Sequence, residues 1–250
     1  MSTAEELAER SDPATSVPDT AIVLAAGLGK RMRPLTETRP KPLIQVGGTT
    51  LLDRGLDVLA EAGVRQAVVN VHYLADQIIE HVADRAVPKV TISDERHGLL
   101  DSGGGVARAM PSGREAPVLL LNADTFWLDA PGANAIHALA NAWDAKRMDM
   151  LLLLVSRDRA VGHTGTGDFA LDAEGRIRRN REGYVYAGAG ILKPNIFSGE
   201  EPEVHSLNMH FDRFITGGRL HGVVMDGLWL TVGTPDAIGE AERAIDAFIG

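Results

Sequence analysis

Cysteine is absent from the chain, and aromatic residues make up only 5% of its 250 residues. Without cysteine, the protein has no disulfide, no cysteine-ligated zinc site and no thiol nucleophile. No apolar run approaches the roughly 20 residues that a membrane-spanning helix needs. The first 20 residues have neither the basic nor the apolar stretch of a secretory signal. We therefore expect a cytoplasmic protein without a membrane partner.

Positive charge is also scarce overall, but it is concentrated in one place. The chain carries 25 Lys and Arg against 34 Asp and Glu, a formal net charge of −9, which argues against a general nucleic-acid binder. Residues 1–20 hold one basic residue and five acidic ones, and we expect a flexible tail there with at most a short helix over residues 4–10. Residues 29–41 hold five basic residues against one acidic residue. This basic segment predicts a local anion site.

Short apolar runs alternate with amphipathic segments through the first part of the chain. This alternation is typical of an α/β fold with a mostly parallel sheet. The predicted strands cover residues 21–26, 66–71, 90–93, 118–122 and 151–155, and the predicted helices cover residues 50–62, 74–82, 105–110 and 134–145.

After about residue 160 the pattern changes to strands joined by short turns. Strands are predicted over residues 169–171, 184–192, 220–225 and 228–232, and helices over residues 207–214 and 236–248. We expect one domain over residues 21–250, with a first half at 21–155 and a substrate-facing second half at 156–250.

A glycine-rich basic loop, residues 24–36, follows the first predicted strand, where α/β folds bind ligands. Its glycines let backbone amides approach a phosphate, and Lys30 and Arg31 supply charge. A Walker P-loop would need Ser or Thr where Arg31 stands, and a dinucleotide fingerprint would need Gly where Met32 stands. On glycine and charge alone, a solvated basic loop stays an alternative.

The complete string resembles the signature of the sugar-1-phosphate nucleotidyltransferases, which make nucleoside-diphosphate sugars. That signature is an apolar strand, then Ala-Gly-x-Gly-x-Arg-(Met/Leu)-x-Pro-Leu-Thr, then Pro-Lys-Pro-Leu, which residues 40–43 supply. The resemblance covers residues 21–250. It implies a single-domain, Rossmann-like mixed α/β sheet flanked by helices, of the glycosyltransferase-A-like type, without an appended β-helix domain.

The resemblance also assigns roles to residues. It implies that Arg31 contacts the triphosphate and that Lys41 contacts the sugar phosphate or the reacting phosphorus, which makes both catalytic. The nucleotide-binding residues would be Ala25, Ala26, Gly27, Gly29, Lys30, Arg31, Glu95, Ser102, Gly103 and Gly104. The sugar-phosphate-binding residues would be Lys41, Asn122, Asp168 and Gly188.

Asp124 follows the apolar run of residues 118–122 and would face the ligand crevice at the end of a parallel strand, although a turn role fits the sequence as well. The resemblance makes Asp124 a magnesium ligand and Mg²⁺ the cofactor. The family's second metal aspartate lies in Trp-x-Asp-x-Gly-Thr, where this chain has Thr231. A hydroxyl is a poorer Mg²⁺ ligand than a carboxylate. The metal could then be held by Asp124 together with phosphate oxygens and water. Asp226 as a second carboxylate ligand is a less favoured alternative, and a third is that the protein has lost activity.

Residues 94–105 end in three adjacent glycines, which predict a close approach of the backbone to another group. The resemblance implies a nucleobase pocket there. This stretch, together with residues 167–169 and 186–191, is most similar to the short N-acetylmuramate α-1-phosphate uridylyltransferases. Arg178, Arg179 and Arg181 either receive an acidic sugar or form a solvated hairpin, and the hairpin is favoured.

The predicted function is transfer of a nucleotidyl group from an NTP, preferably UTP, to a sugar 1-phosphate, preferably N-acetylmuramate 1-phosphate, in peptidoglycan recycling. We expect a monomer or small homo-oligomer with no nucleic-acid partner. One alternative is a mannose-1-phosphate guanylyltransferase, and another is a nucleotide-binding regulatory protein whose catalysis is weakened by Thr231. A retaining glycosyltransferase is disfavoured, because no Asp-x-Asp motif begins at Asp124.

Overall fold

The computed structural model of the protein describes residues 16–197 and 202–250, so the helix predicted over residues 4–10 lies outside the described residues. The strands are β1 (Thr20–Leu24), β2 (Gln45–Val46), β3 (Thr49–Thr50), β4 (Gln66–Val71), β5 (Lys89–Asp94), β6 (Val118–Asn122), β7 (Thr125–Asp129), β8 (Met150–Val155), β9 (Ala160–Val161), β10 (Phe169–Leu171), β11 (Ile177–Arg179), β12 (Val185–Leu192), β13 (Leu220–Val224) and β14 (Gly227–Thr231). The helices are α1 (Leu51–Glu61), α2 (Ala75–Val82), α3 (Asp101–Ala109), α4 (Ala135–Ala142), α5 (Leu207–Thr216) and α6 (Asp236–Ile249).

Seven strands form the main sheet in the order β13-β8-β12-β6-β1-β4-β5. β1 pairs in parallel with β4 and β6, while β12 runs antiparallel between β6 and β8. This arrangement confirms the predicted mixed α/β fold. The sheet takes strands from both sides of residue 155, so the two predicted halves share it.

The main sheet is buried on both faces, which explains the continuous apolar runs of its strands. Along β6, Leu119 and Leu121 pack in the core on the side of α1, α2 and α4. Val118 and Leu120 pack on the opposite side, in a core that also contains residues of α3 and α5. Complete burial of each such side chain contributes roughly 1.5–3 kcal/mol.

Polar side chains fix where the helices begin. The Thr50 hydroxyl accepts a hydrogen bond from the Asp53 amide at 3.0 Å and starts α1, and Asn134 Oδ1 accepts from the His137 amide at 2.9 Å and starts α4. Caps of this kind satisfy amides that have no partner inside the helix. No helix in residues 16–197 and 202–250 combines the length and apolarity needed to cross a membrane.

A smaller sheet in the order β7-β14-β9 lies beside the carboxyl end of β6. Sequence analysis missed β7, which begins directly after Asp124. Within this sheet Thr231 pairs with Thr125. A position near the end of the chain is thereby brought next to Asp124.

Candidate functional site

The loop after β1 presents a row of free backbone amides. The Ala25 and Ala26 amides donate to Asn70 Oδ1 at 2.6 and 3.2 Å. The next five amides, of residues 27–31, have no acceptor in the part of the chain that the structure describes. Gly29 has a left-handed φ of 59° and precedes a 3-10 turn, Lys30–Met32. Successive free amides around a left-handed residue bind anions in many proteins.

A buried polar network behind the loop holds it in place. Glu95 is 2% exposed, and its Oε1 accepts from Asn70 Nδ2 at 2.7 Å while its Oε2 accepts from the Leu100 amide at 3.2 Å. A Cβ at Gly105 would lie only 2.8 Å from Asn70 Nδ2, so the network needs a glycine there. Glu95 therefore supports the loop rather than lining the space in front of it. Sequence analysis missed Asn70, although an amide inside an otherwise apolar strand is a recognisable signal.

Two cations of the loop are available for an anionic ligand. Lys30 and Arg31 are both exposed, and neither makes an ion pair with any residue that the structure describes. The Arg31 guanidinium lies beside Gly233, where an added Cβ would be 3.4 Å from Nη1. The five free amides and these two side chains together suit a polyanion such as a triphosphate.

Lys41 and Asp124 form an ion pair at the centre of the site. Lys41 Nζ lies 2.8 Å from Asp124 Oδ2, and their side chains are 10% and 43% exposed. The other carboxylate oxygen, Oδ1, has no donor among the described residues. A nearly buried ammonium requires such a partner. The structure thus brings together the predicted catalytic lysine and the predicted metal ligand.

Two cavities meet at Asp124, the carboxylate of this ion pair. The first has a volume of about 230 Å³ and is lined by Leu24, Ala26, Gly27, Asn70, Leu99, Asp101, Ser102, Asn122 and Asp124. The second, of about 360 Å³, is lined by Ser102, Asn122, Asp124, Thr125, His163, Asp168, Phe169, Arg179, Val185, Tyr186, Leu207, Asn208, Phe211 and Trp229. They share Ser102, Asn122 and Asp124. Two ligands, one in each cavity, would therefore touch at Asp124.

The second cavity has ordered polar groups on its floor. Asp168 Oδ2 accepts from the Tyr186 amide at 2.9 Å. Gly188 lies in an irregular stretch of β12 with a φ of 78°, and a Cβ there would be 3.1 Å from Asn122 Nδ2. The backbone of β12 consequently lies directly against Asn122. Burial raises the pKa of the Tyr186 hydroxyl, so this group stays protonated at neutral pH.

The three glycines are the third, fourth and fifth residues of α3, whereas the predicted helix begins only at the last of them, Gly105. The Gly103 amide donates to the His205 carbonyl at 2.8 Å, and a Cβ at Gly104 would lie 2.1 Å from the Glu203 carbonyl. The close approach that the glycines require is therefore made by the protein's own segment, residues 203–205. Ser102 Oγ accepts from the Leu207 amide at 3.0 Å and lines both cavities.

The two carboxylates that sequence analysis considered for a metal, those of Asp124 and Asp226, lie apart. Asp226 lies beyond the far end of β14 from Thr231, where its carbonyl accepts from the Ala130 amide. Among the described residues, no three His, Cys, Asp or Glu side chains cluster in a way that could hold a metal ion. Of the residues that the structure describes, Asp124 is the one acidic residue that lines both cavities.

The three candidate arginines separate in space. Arg178 and Arg179 are both exposed on β11, which pairs with β10 as a hairpin, in agreement with the favoured interpretation. Arg179 also lines the second cavity, whereas Arg178 lines neither of the two cavities. Adjacent residues of a strand point to opposite faces, which separates these two side chains.

Comparison with known proteins gives a family match. Residues 21–168 match the model of the MobA-like NTP transferase domain. Two curated relatives are both named N-acetylmuramate alpha-1-phosphate uridylyltransferase. The protein from Caulobacter vibrioides is 43% identical over 92% of this chain and 98% of its own length. The protein from Neisseria meningitidis serogroup B is 33% identical over 91% of this chain and 99% of its own length.

A solved structure has the same fold. The HddC protein from Yersinia pseudotuberculosis, complexed with GMP-PN, superposes with a TM-score of 0.72 at 23% identity, covering 90% of this chain and 99% of that protein.

Proposed function

The chain belongs to the MobA-like NTP transferase family and is a nucleotidyltransferase, and we propose that it joins UTP to N-acetylmuramate 1-phosphate. The products are the UDP-sugar and pyrophosphate. The observation that carries this proposal is that two cavities share Asp124 beside Lys41. The names of the two curated relatives support the choice of nucleotide and sugar. A place in peptidoglycan recycling follows from that sugar.

The first cavity would hold the nucleotide. The free amides of residues 27–31, with Lys30 and Arg31, would bind the β- and γ-phosphates and neutralise the charge that develops on the leaving pyrophosphate. Asn70 and Glu95 contribute by holding the loop in this shape before the nucleotide binds. A loop fixed in advance loses little entropy on binding.

The second cavity would hold the sugar phosphate. Asp168, Asn122 and the backbone at Gly188 present polar groups to the sugar hydroxyls. Lys41 would bind the phosphate at the junction of the cavities. One oxygen of the sugar phosphate attacks the α-phosphorus of the NTP in line, and the bond from that phosphorus to the pyrophosphate oxygen breaks. No general base is needed, because the attacking oxygen is already an anion.

The residues present fit a magnesium ion that is carried by the nucleotide. Mg²⁺ commonly takes one or two carboxylates together with substrate phosphates and water, and Asp124 has a free Oδ1 at the junction. When bound, the ion would neutralise phosphate charge. We also propose residues 21–155 as the nucleotide-binding half and 156–250 as the sugar-binding half, since the first cavity is lined only from residues 24–124.

The test is pyrophosphate release measured with four NTPs against a panel of sugar 1-phosphates in the presence of Mg²⁺. We expect release with UTP and N-acetylmuramate 1-phosphate. Release with GTP and mannose 1-phosphate alone would overturn the substrate choice. Nucleotide binding without release from any pair would favour a regulatory protein.

Lys41→Met should lower turnover about 100-fold by removing the phosphate contact. Lys193→Met is the matched control, because Lys193 also pairs with an aspartate, Asp149, at 3.1 Å, and that aspartate lines neither cavity, whereas Asp124 lines both. It should keep wild-type turnover. An equal loss in both variants would remove Lys41 from the reaction.

A further inference from the structure

We propose that Arg179 selects the sugar by binding a carboxylate that the sugar itself carries. On the proposed function, which this inference extends, that carboxylate is the lactyl group of N-acetylmuramate 1-phosphate. A neutral N-acetylglucosamine 1-phosphate has a hydroxyl in its place. Arg179 is then the residue that separates an acidic sugar from a neutral one.

The charge distribution in the second cavity leads to this assignment. Among the described residues that line it, Arg179 is the one lysine or arginine, and Asp124 and Asp168 are acidic. Asp168 already accepts a hydrogen bond from the Tyr186 amide. A ligand carboxylate placed among two aspartates needs a cation nearby, because like charges at short range repel.

The guanidinium is held ready for a planar anion. Arg179 Nε donates to Asp212 Oδ1 at 2.9 Å, Nη2 donates to Asn208 Oδ1 at 2.9 Å, and the guanidinium carbon lies 4.9 Å from the centre of the Phe169 ring. Nη1 has no partner among the described residues. Arginine offers five donors in a fixed plane, so further donors remain for a carboxylate.

The wall beside the guanidinium suits the rest of a lactyl group. The Phe211 ring packs edge to face against the rings of Phe169 and Tyr186, with centres 6.1 and 5.6 Å apart. This aromatic surface borders the same cavity. A lactyl group carries a methyl next to its carboxylate, so apolar contact and ionic contact would be made together.

The experiment compares kcat/KM for N-acetylmuramate 1-phosphate and N-acetylglucosamine 1-phosphate at saturating UTP. We expect the wild-type enzyme to prefer the acidic sugar. Arg179→Gln should lower the ratio of the two values about 10- to 100-fold, the range for hydrogen bonds to a charged group. The loss should lie mainly in KM for the acidic sugar. Arg179→Lys, which keeps the positive charge but not the planar set of N–H donors, should recover part of the wild-type ratio of the two kcat/KM values.

Two controls separate recognition from structure. Arg178→Gln removes the same charge from the opposite face of β11 and should keep the wild-type ratio. Asp212→Asn removes the charge that pairs with Arg179 but keeps a side-chain oxygen that can accept from Nε, so the guanidinium stays in place and the preference for the acidic sugar should remain. If Asp212→Asn reproduced the loss seen in Arg179→Gln, Arg179 would be a structural residue and the inference would fail.

The outcomes also distinguish the inference from the proposed function. An equal loss with both sugars in Arg179→Gln would mean that Arg179 binds a group common to both, such as the phosphate, and would overturn the inference alone. An unchanged ratio of the two kcat/KM values in Arg179→Gln would also overturn the inference. A wild-type enzyme that uses neither sugar phosphate would contradict the proposed function, and the inference would fall with it.

Discussion

Replacing Asn70 with leucine tests whether the loop after β1 is held by one buried amide. Asn70 is 3% exposed, and its side chain bonds to the Ala25 amide at 2.6 Å and to Glu95 Oε1 at 2.7 Å. Leucine has a similar volume but neither donor nor acceptor. The change therefore leaves at least two buried polar groups without a partner, and each such group costs about 1–3 kcal/mol.

We expect Asn70→Leu to lower the free energy of unfolding by about 3–5 kcal/mol, since the added apolar contact offsets only part of the loss. Urea unfolding followed by circular dichroism measures this change. Isothermal titration calorimetry with UTP should show weaker binding as well, because the amides of residues 27–31 depend on the same anchor.

Asn134→Leu is the matched control. Asn134 is exposed and makes one capping bond to the His137 amide, so its loss should cost about 1 kcal/mol and leave UTP binding unchanged. A loss below about 1 kcal/mol in Asn70→Leu would refute the assigned role.

Asn70→Asp offers a second measurement. It places a second carboxylate beside Glu95, a repulsion that is relieved when one of the two is protonated. The stability deficit of Asn70→Asp relative to wild type should therefore shrink as the pH falls.

Three further predictions concern the site and the fold. Asp124→Asn should lower turnover about 100-fold or more, and unchanged turnover would remove Asp124 from the metal site. Thr231→Asp should strengthen Mn²⁺ binding measured by calorimetry without nucleotide, and an unaltered affinity would place Thr231 away from the metal. The guanidinium of Arg114, and then that of Arg65, lower the pKa of Asp19 to about 2. Asp19→Asn should therefore cost less than about 1 kcal/mol at neutral pH, because the pair is partly exposed. That cost should disappear as the pH falls from about 4 towards 2, and a difference independent of pH would contradict the ion-pair account.

Much of the fold follows from local pattern. The run over residues 118–122 predicts β6 with both of its bounds, and the strand over residues 66–71 matches β4 in the same way. These strands are buried on both faces, so their apolar runs are continuous and hard to mistake. β7 was missed because it follows Asp124 directly, without the turn residues that usually separate two strands.

The basic loop is the part of the site that could be identified from the sequence. The free amides of residues 27–31 and the cations Lys30 and Arg31 lie within one short segment, so their grouping needs no distant contact. Lys41 and Asp124 could be named from motifs, but their ion pair joins residues that lie far apart in the chain.

The surroundings of that loop could be identified only from the folded chain. A sequence shows that three glycines permit a close approach, but not that segment 203–205 makes it. It shows that three arginines cluster, but not that only one of them, Arg179, faces the second cavity. The physical reason is the same in both cases. Backbone conformation depends mainly on neighbouring residues, whereas contacts between distant segments depend on how strands pair and on which face each side chain occupies.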